Sequence, residues 1–150
     1  MKIIKLMANS NEDLINKFFD AYGKHDMNGI KQVMAEDVKW FFMGNHPLAG
    51  IKNGIEEVVE FFDVMAGIMN KSKPTIDKLI VASNEKYFIE CQHIQTNRED
   101  GINISHHVSV LWTVQNGKII SGRHFFSDPQ AVDNYFTHVT EKENTHHAKS

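Results

Sequence analysis

Several kinds of protein are excluded by what this chain has little of. It carries a single cysteine, Cys91. No internal disulfide is possible, and a reducing compartment suits the chain. Basic residues are not in excess: 16 Lys and Arg stand against 19 Asp and Glu, a formal charge of −3. The basic residues are also scattered, with no stripe among aromatics, which argues against a nucleic-acid partner. No stretch approaches the ~18 apolar residues of a membrane span. The apolar patch in MKIIKLMANS is too short for the apolar region of a signal peptide. A cytoplasmic protein with no membrane partner is expected. The chain also lacks an HExxH pair, a Cys/His knuckle, a glycine-rich phosphate loop, a dinucleotide fingerprint and a Ser or Cys nucleophile motif. Neither a metal nor a cofactor is implied.

What is present is an ordinary globular composition, 41% hydrophobic and 23% charged over 150 residues. That is the size of one domain with a real core. We expect a tail over 1–9, a domain over 10–137 and a polar tail over 138–150, where His146 and His147 fall.

The stretch VKWFFMGNHPLAG, Val38 to Gly50, organises the rest. Its bulky first part reads as a strand that is buried or lines a cavity. It breaks at Gly44-Asn45-His46-Pro47, a turn cluster. His46 is then either a plain loop residue or a group at a pocket mouth.

Before it, residues 10–25 read as an amphipathic helix capped by Ser10, with Leu14, Ile15, Phe18, Phe19 and Tyr22 as its apolar stripe. Asp26 caps a second, short helix from Met27 to about Ala35. After the aromatic strand, Asn53 caps a helix to about Met69, with Glu56 and Glu57 at its positive end. Beyond Pro74 the pattern turns to strands near 75–82, 86–97, 102–115 and 118–127. Asp100-Gly101 and Asn116-Gly117 are hairpin turn signals, because both dipeptides tolerate positive φ. The last three strands should form an antiparallel meander. Pro129 opens a short final helix. Helices first and a meander after imply an α+β fold, with helices packed on one face of a curved sheet.

Three segments carry a family resemblance: FFDAYGKHDMNGIKQVMAEDVKW, HPLAGIKNGIEEVVEFF and WTVQNGKIISGRHFFSDPQAVDNYF. In order and spacing they resemble the SnoaL-like group of the nuclear transport factor 2-like superfamily, relatives of ketosteroid isomerases and polyketide cyclases. The resemblance spans roughly Asn11 to Phe136. It implies a cone-shaped, cystatin-like curved sheet, mostly antiparallel, wrapped around the N-terminal helices. It also implies an apolar cavity and a homodimer formed through the sheet. It names no reaction, because this fold hosts many.

The resemblance places the isomerase groups at positions where this chain has none. Phe18 stands for the first-helix tyrosine, Phe41 or Phe42 for the strand carboxylate, and Ser109 for the second oxyanion donor. Ketosteroid isomerase activity is therefore not expected. The cyclase acid/base aspartate is matched by Asp128 in RHFFSDP, which is alternatively a helix cap.

The resemblance also assigns strand faces. Alternation after Ile102 gives one set, Ile104, His106, Val108, Val110, Trp112 and Val114, and another, Ser105, His107, Ser109, Leu111 and Thr113. The family frame puts the second set inside. The first is then an exposed apolar face, and Val108, Val110 and Trp112 are expected to be buried by a second copy. The last strand sends Gly122, His124, Phe126 and Asp128 inward. The strand at 86–97 sends Phe88, Glu90, Gln92 and Ile94 inward, although Tyr87, Ile89 and Cys91 are equally apolar. On this frame Glu90, Gln92, His107, His124 and Asp128 converge on walls of Phe18, Tyr22, Trp40, Phe42, Leu111 and Phe126, with Ser109 and His46 at hand. The expectation is a small hydrophobic ligand and proton transfer by an isomerase, cyclase or hydrolase. His124 or Asp128 is the base and His107 the oxyanion donor. In the alternative, the polar groups satisfy one another and the domain is a non-catalytic binding or interaction module.

Overall fold

The computed structural model describes residues 2–149 along the backbone, and side chains from Asn11 to Lys142. The chain runs α1 (Lys2–Gly23), α2 (Met27–Val33), β1 (Met34–Phe42), β2 (Gly50–Asn53), α3 (Gly54–Ser72), β3 (Thr75–Ser83), β4 (Tyr87–Gln95), β5 (Ser105–Gln115), β6 (Lys118–Phe126) and α4 (Pro129–Lys149). The strands form one six-stranded sheet in the order β2-β1-β6-β5-β4-β3. All neighbours are antiparallel except β1 and β6, which run parallel. The sheet is mixed, curved and unclosed, as the α+β reading required.

Local chemistry explains most boundaries. Asp26 accepts a hydrogen bond from the Gly29 N–H at 3.0 Å and so caps α2. Asn53 makes no side-chain cap; instead its N–H donates to the Glu57 carboxylate of the first turn at 3.1 Å. Asn116 and Gly117 both take positive φ, 53° and 71°, and make the tight β5–β6 hairpin.

Three expectations change. The first helix begins at Lys2, so Ser10 lies within it and is not its cap. The final helix is not short but 21 residues long. The four-residue β2 was unread, because Gly50–Asn53 is too brief for alternation to register. The side chains of Ser10, His146 and His147 lie outside the described ones.

The core fills the concave side of the sheet, between it and α1, α3 and α4. Ile15 and Phe18 of α1, Val58 and Phe62 of α3, and Val132 and Val139 of α4 are buried against Trp40, Trp112 and Ile119. Rings dominate this core: Phe18 stacks on Trp40 and meets Phe62 and Trp112 edge-on at 4.9 Å each.

Candidate functional site

β5 decides which residues can serve a site. Its burial alternates strictly, with His106, Val108, Val110, Trp112 and Val114 inside and Ser105 and His107 exposed. This is the reverse of the family-framed expectation. The register shows why: Val110 lies opposite Glu90 on β4 and opposite His124 on β6. Directly opposed residues share a face, so an inward Glu90 and His124 force Val110 inward. The apolar half of the strand faces the helices, as burial of apolar area demands. Val108, Val110 and Trp112 are therefore core, not an exposed dimer patch.

His107, Ser109 and Leu111 consequently leave the site. They lie on the convex face of the sheet. The ring of His107 sits 5.0 Å from that of His93, and the Ser109 hydroxyl donates to the Cys91 thiol sulfur at 3.2 Å. Asp128 also falls away. It lies beyond the end of β6, is exposed, and accepts a hydrogen bond from the Ala131 N–H at 3.1 Å. It is the cap of α4. His46 is not at a mouth: its ring packs 5.4 Å from Phe42 and 5.1 Å from Phe136, outside the cavity wall. Its Nδ1 accepts the Leu48 N–H at 3.2 Å, and burial lowers its pKa, so it serves its own loop as a neutral ring.

The remaining expected residues do converge. A cavity of about 230 Å³ opens between the sheet and the helices, and Phe18, Tyr22, Trp40, Phe42, Glu90, Gln92, His124 and Phe126 all line it. The strand residues arrive by simple alternation, and Phe18 and Tyr22 stand one helical turn apart on α1. Trp40 and Phe42 point inward from β1 while Phe41, between them, faces out beneath the Arg123 guanidinium at 3.9 Å. Trp40 can lie against β6 only because Gly122 stands opposite; a Cβ there would overlap its ring. Exposed Phe19 and Ile76 form part of the rim.

The wall is almost wholly apolar, and several of its few polar atoms are unsatisfied. Glu90 Oε2, His124 Nε2, His106 Nδ1 and the indole N–H groups of Trp40 and Trp112 are buried without a hydrogen-bond partner. Such atoms are uncommon in folded proteins and costly. Glu90 is only 4% exposed. Its nearest cation is the half-exposed Lys78, whose Nζ stands 3.6 Å from Oε2, an ion pair beyond hydrogen-bond reach. Burial pushes the pKa of His124 down to about 3 and lowers that of His106 as well. Both imidazoles are neutral at pH 7. Burial pushes the Tyr22 phenol up to about 12. At the far end the Tyr135 hydroxyl shares a 2.5 Å hydrogen bond with buried Ser72.

The sequence reading missed His106, Thr96, Trp112 and Tyr135 as cavity residues. The signal for the first and third lies in the alternation itself: Val108, Val110, Trp112 and Val114 are the heavier apolar set on β5, and a core takes the heavier set. Among the described residues, no group of three or more His, Cys, Asp or Glu side chains is placed to hold a metal ion. Among the described residues, no helix is long and apolar enough to cross a membrane.

This cavity sits in a family. Residues 15–122 match the model of the SnoaL-like domain. The chain belongs to the SnoaL-like domain family. An uncharacterised protein of Mycobacterium tuberculosis, Rv0034, is 24% identical over 124 residues, covering 83% of this chain and 94% of its own. Among solved structures, Bal32a from a soil-derived mobile gene cassette superposes with a TM-score of 0.74 at 21% identity, over 87% of this chain and 98% of its own. TerC, co-crystallised with polyporic acid, superposes at 0.68 with 18% identity, over 85% and 98%. Structures described as nuclear transport factor 2-like and cystatin-like share the architecture. At these identities the structural likeness speaks for the fold of this SnoaL-like domain and not for its chemistry.

Proposed function

We propose that this SnoaL-like domain binds a small, largely apolar organic molecule in its cavity and exchanges a proton with it through Glu90. The observation that carries the reading is the pairing of an apolar 230 Å³ cavity with unpartnered polar atoms in its wall. Apolar walls with a few convergent polar groups are the usual form of a ligand site. Glu90 and His124 lie in one cross-strand row with Val110 between them. At about 4.8 Å per strand, their backbones stand roughly 10 Å apart. A ligand lying across Val110 would meet both.

The roles differ from the earlier expectation. With its pKa near 3, His124 is too weak a base to act at pH 7. A neutral imidazole can still donate a hydrogen bond to a carbonyl or a developing oxyanion. Glu90, buried in the wall with an unpartnered Oε2, is the group placed to exchange the proton. The reaction class remains that of an isomerase, cyclase or hydrolase. A second reading, a binding module without turnover, is favoured by the fact that Glu90 and His124 do not touch each other.

The partner expectation moves to the other face. We propose that a second copy packs on the convex side, where Ile80 is 59% and Phe125 50% exposed at the two ends of a cross-strand row through Cys91 and Ser109, with Ile89 and Leu111 in the next row. The cytoplasm suits this surface too, since the Cys91 thiol beneath it would stay reduced.

The test is a thermal-shift screen with small hydrophobic ketones, lactones, terpenoids and aromatic compounds, on wild type and on His124→Ala. A ligand at 100 times its dissociation constant adds about 2.7 kcal/mol. A hit weakened by the substitution supports the reading. A broad library with no hit overturns it.

A further inference from the structure

The end of the cavity that holds Glu90 has a charge character of its own. No Lys or Arg lines the cavity among the described residues, and its two histidines are neutral. The wall therefore holds one acidic side chain and, beyond the neutral histidines, no basic one. Glu90 Oε2 is buried and lacks a hydrogen bond. A buried carboxylate in this state is destabilising until a donor reaches it.

Lys78 shows which donor the place accepts. It stands on β3 opposite Gln92, turned to the concave face, with its ammonium 3.6 Å from Oε2. That distance is too long for a hydrogen bond, and the lysine side chain is 58% exposed. A contact this loose is easily displaced. The structure thus already brings a primary ammonium to Glu90, from the solvent side, without letting it bond.

The surroundings complete the site. Gln92, two residues from Glu90 on the same face, lines the cavity and brings an amide oxygen. Trp112 lies two residues from Val110, which faces Glu90, and the ring of Phe19 at the rim meets Trp112 at 5.6 Å. Aromatic faces beside a carboxylate attract organic cations.

We propose that the ligand of this cavity is an amine. Its protonated nitrogen takes the position at Glu90 that Lys78 approaches, and its apolar body lies along Val110 and Trp112 toward His124. This rests on the cavity reading above and adds the chemical class. The proton that Glu90 exchanges is then one carried on nitrogen. The His124 end stays neutral, because the burial that keeps a proton off that ring also keeps a cation away from it.

The experiment compares three probes on one bicyclic skeleton: naphthylmethylamine, naphthylmethanol and naphthoate. Dissociation constants are read at pH 7 from tryptophan fluorescence and calorimetry, for wild type, Glu90→Gln and Lys78→Met. Wild type should bind the amine about tenfold more tightly than the alcohol, a difference of ~1.4 kcal/mol, and the carboxylate least. Glu90→Gln should make amine and alcohol bind equally, with the fold of the variant checked by its circular-dichroism spectrum and melting temperature. Lys78→Met should tighten the amine only. An alcohol that binds as well as the amine, or an amine preference that survives Glu90→Gln, overturns the amine and leaves the cavity reading standing. Silence from all three overturns the amine too, and the broad screen then decides whether the cavity reading falls with it.

Discussion

His124 is the residue whose chemistry the fold changes most. Burial lowers its pKa in the folded chain from 6.5 to about 3. Between those values the unfolded chain binds a proton that the folded chain refuses, so acid favours unfolding. Stability contributed by this residue should therefore fall as pH drops below about 6.5, and the loss should level off near pH 3. His106, lowered by burial in the same direction, adds to the slope. Urea titrations at pH 7 and pH 5 should show the loss, and His124→Phe should flatten it. An unchanged slope in the variant would locate the effect elsewhere. Gly122 makes a second demand at this scale. Its missing side chain is the space that the Trp40 ring occupies. Gly122→Ala should cost about 1–3 kcal/mol through overpacking and shift the tryptophan emission, both visible in one fluorescence-detected melt.

At the scale of elements, the short helix α2 depends on its cap. Asp26→Ala removes the acceptor of the Gly29 N–H and should cost about 1 kcal/mol. Asp26→Ser should recover most of it, as denaturant midpoints will tell. Elements were also what the sequence disclosed best. The Asp26 cap, the Asn116-Gly117 turn and the alternation of Trp40 and Phe42 are local signals, and local signals survive into the structure. The family frame also gave the inner faces of β4 and β6, where Phe88, Glu90, His124 and Phe126 point inward. It failed on the phase of β5. A frame taken from relatives set β5 one residue out, and with a period of two that error moves every side chain to the opposite face. His107, Ser109 and Leu111 entered the expected site by that slip, and His106 and Trp112 were excluded by it. Asp128 failed for another reason. A carboxylate before a proline-opened helix satisfies a catalytic motif and a cap motif equally, and only the hydrogen bond to Ala131 separates them. His46 was illegible because its neighbours, Phe42 and Phe136, lie far apart in sequence.

At the scale of the whole molecule, the two faces of the sheet should respond differently to substitution. On the convex face, Phe125→Asp should leave the melting temperature nearly unchanged and dissociate the proposed dimer, as sedimentation velocity will show. On the concave face, Trp112→Ala should cost about 3–5 kcal/mol, because it removes a ring packed against Phe18, Phe19 and Trp40. A monomeric wild type would end the dimer proposal and leave the fold as it stands.

The parallel pairing of β1 with β6 sets the order in which this chain can be made. Trp40 and Phe42 emerge from the ribosome early, yet the strand that completes their sheet ends at Phe126. At roughly 5–20 residues per second, the aromatic strand waits on the order of several seconds for its partner. During that interval its rings have α1, α2 and α3 to shelter against, but no strand beside them except the four residues of β2. Nascent chains stalled before Lys118 should therefore be the chaperone-dependent ones, and release of the last strand should be the event that commits the molecule to its fold.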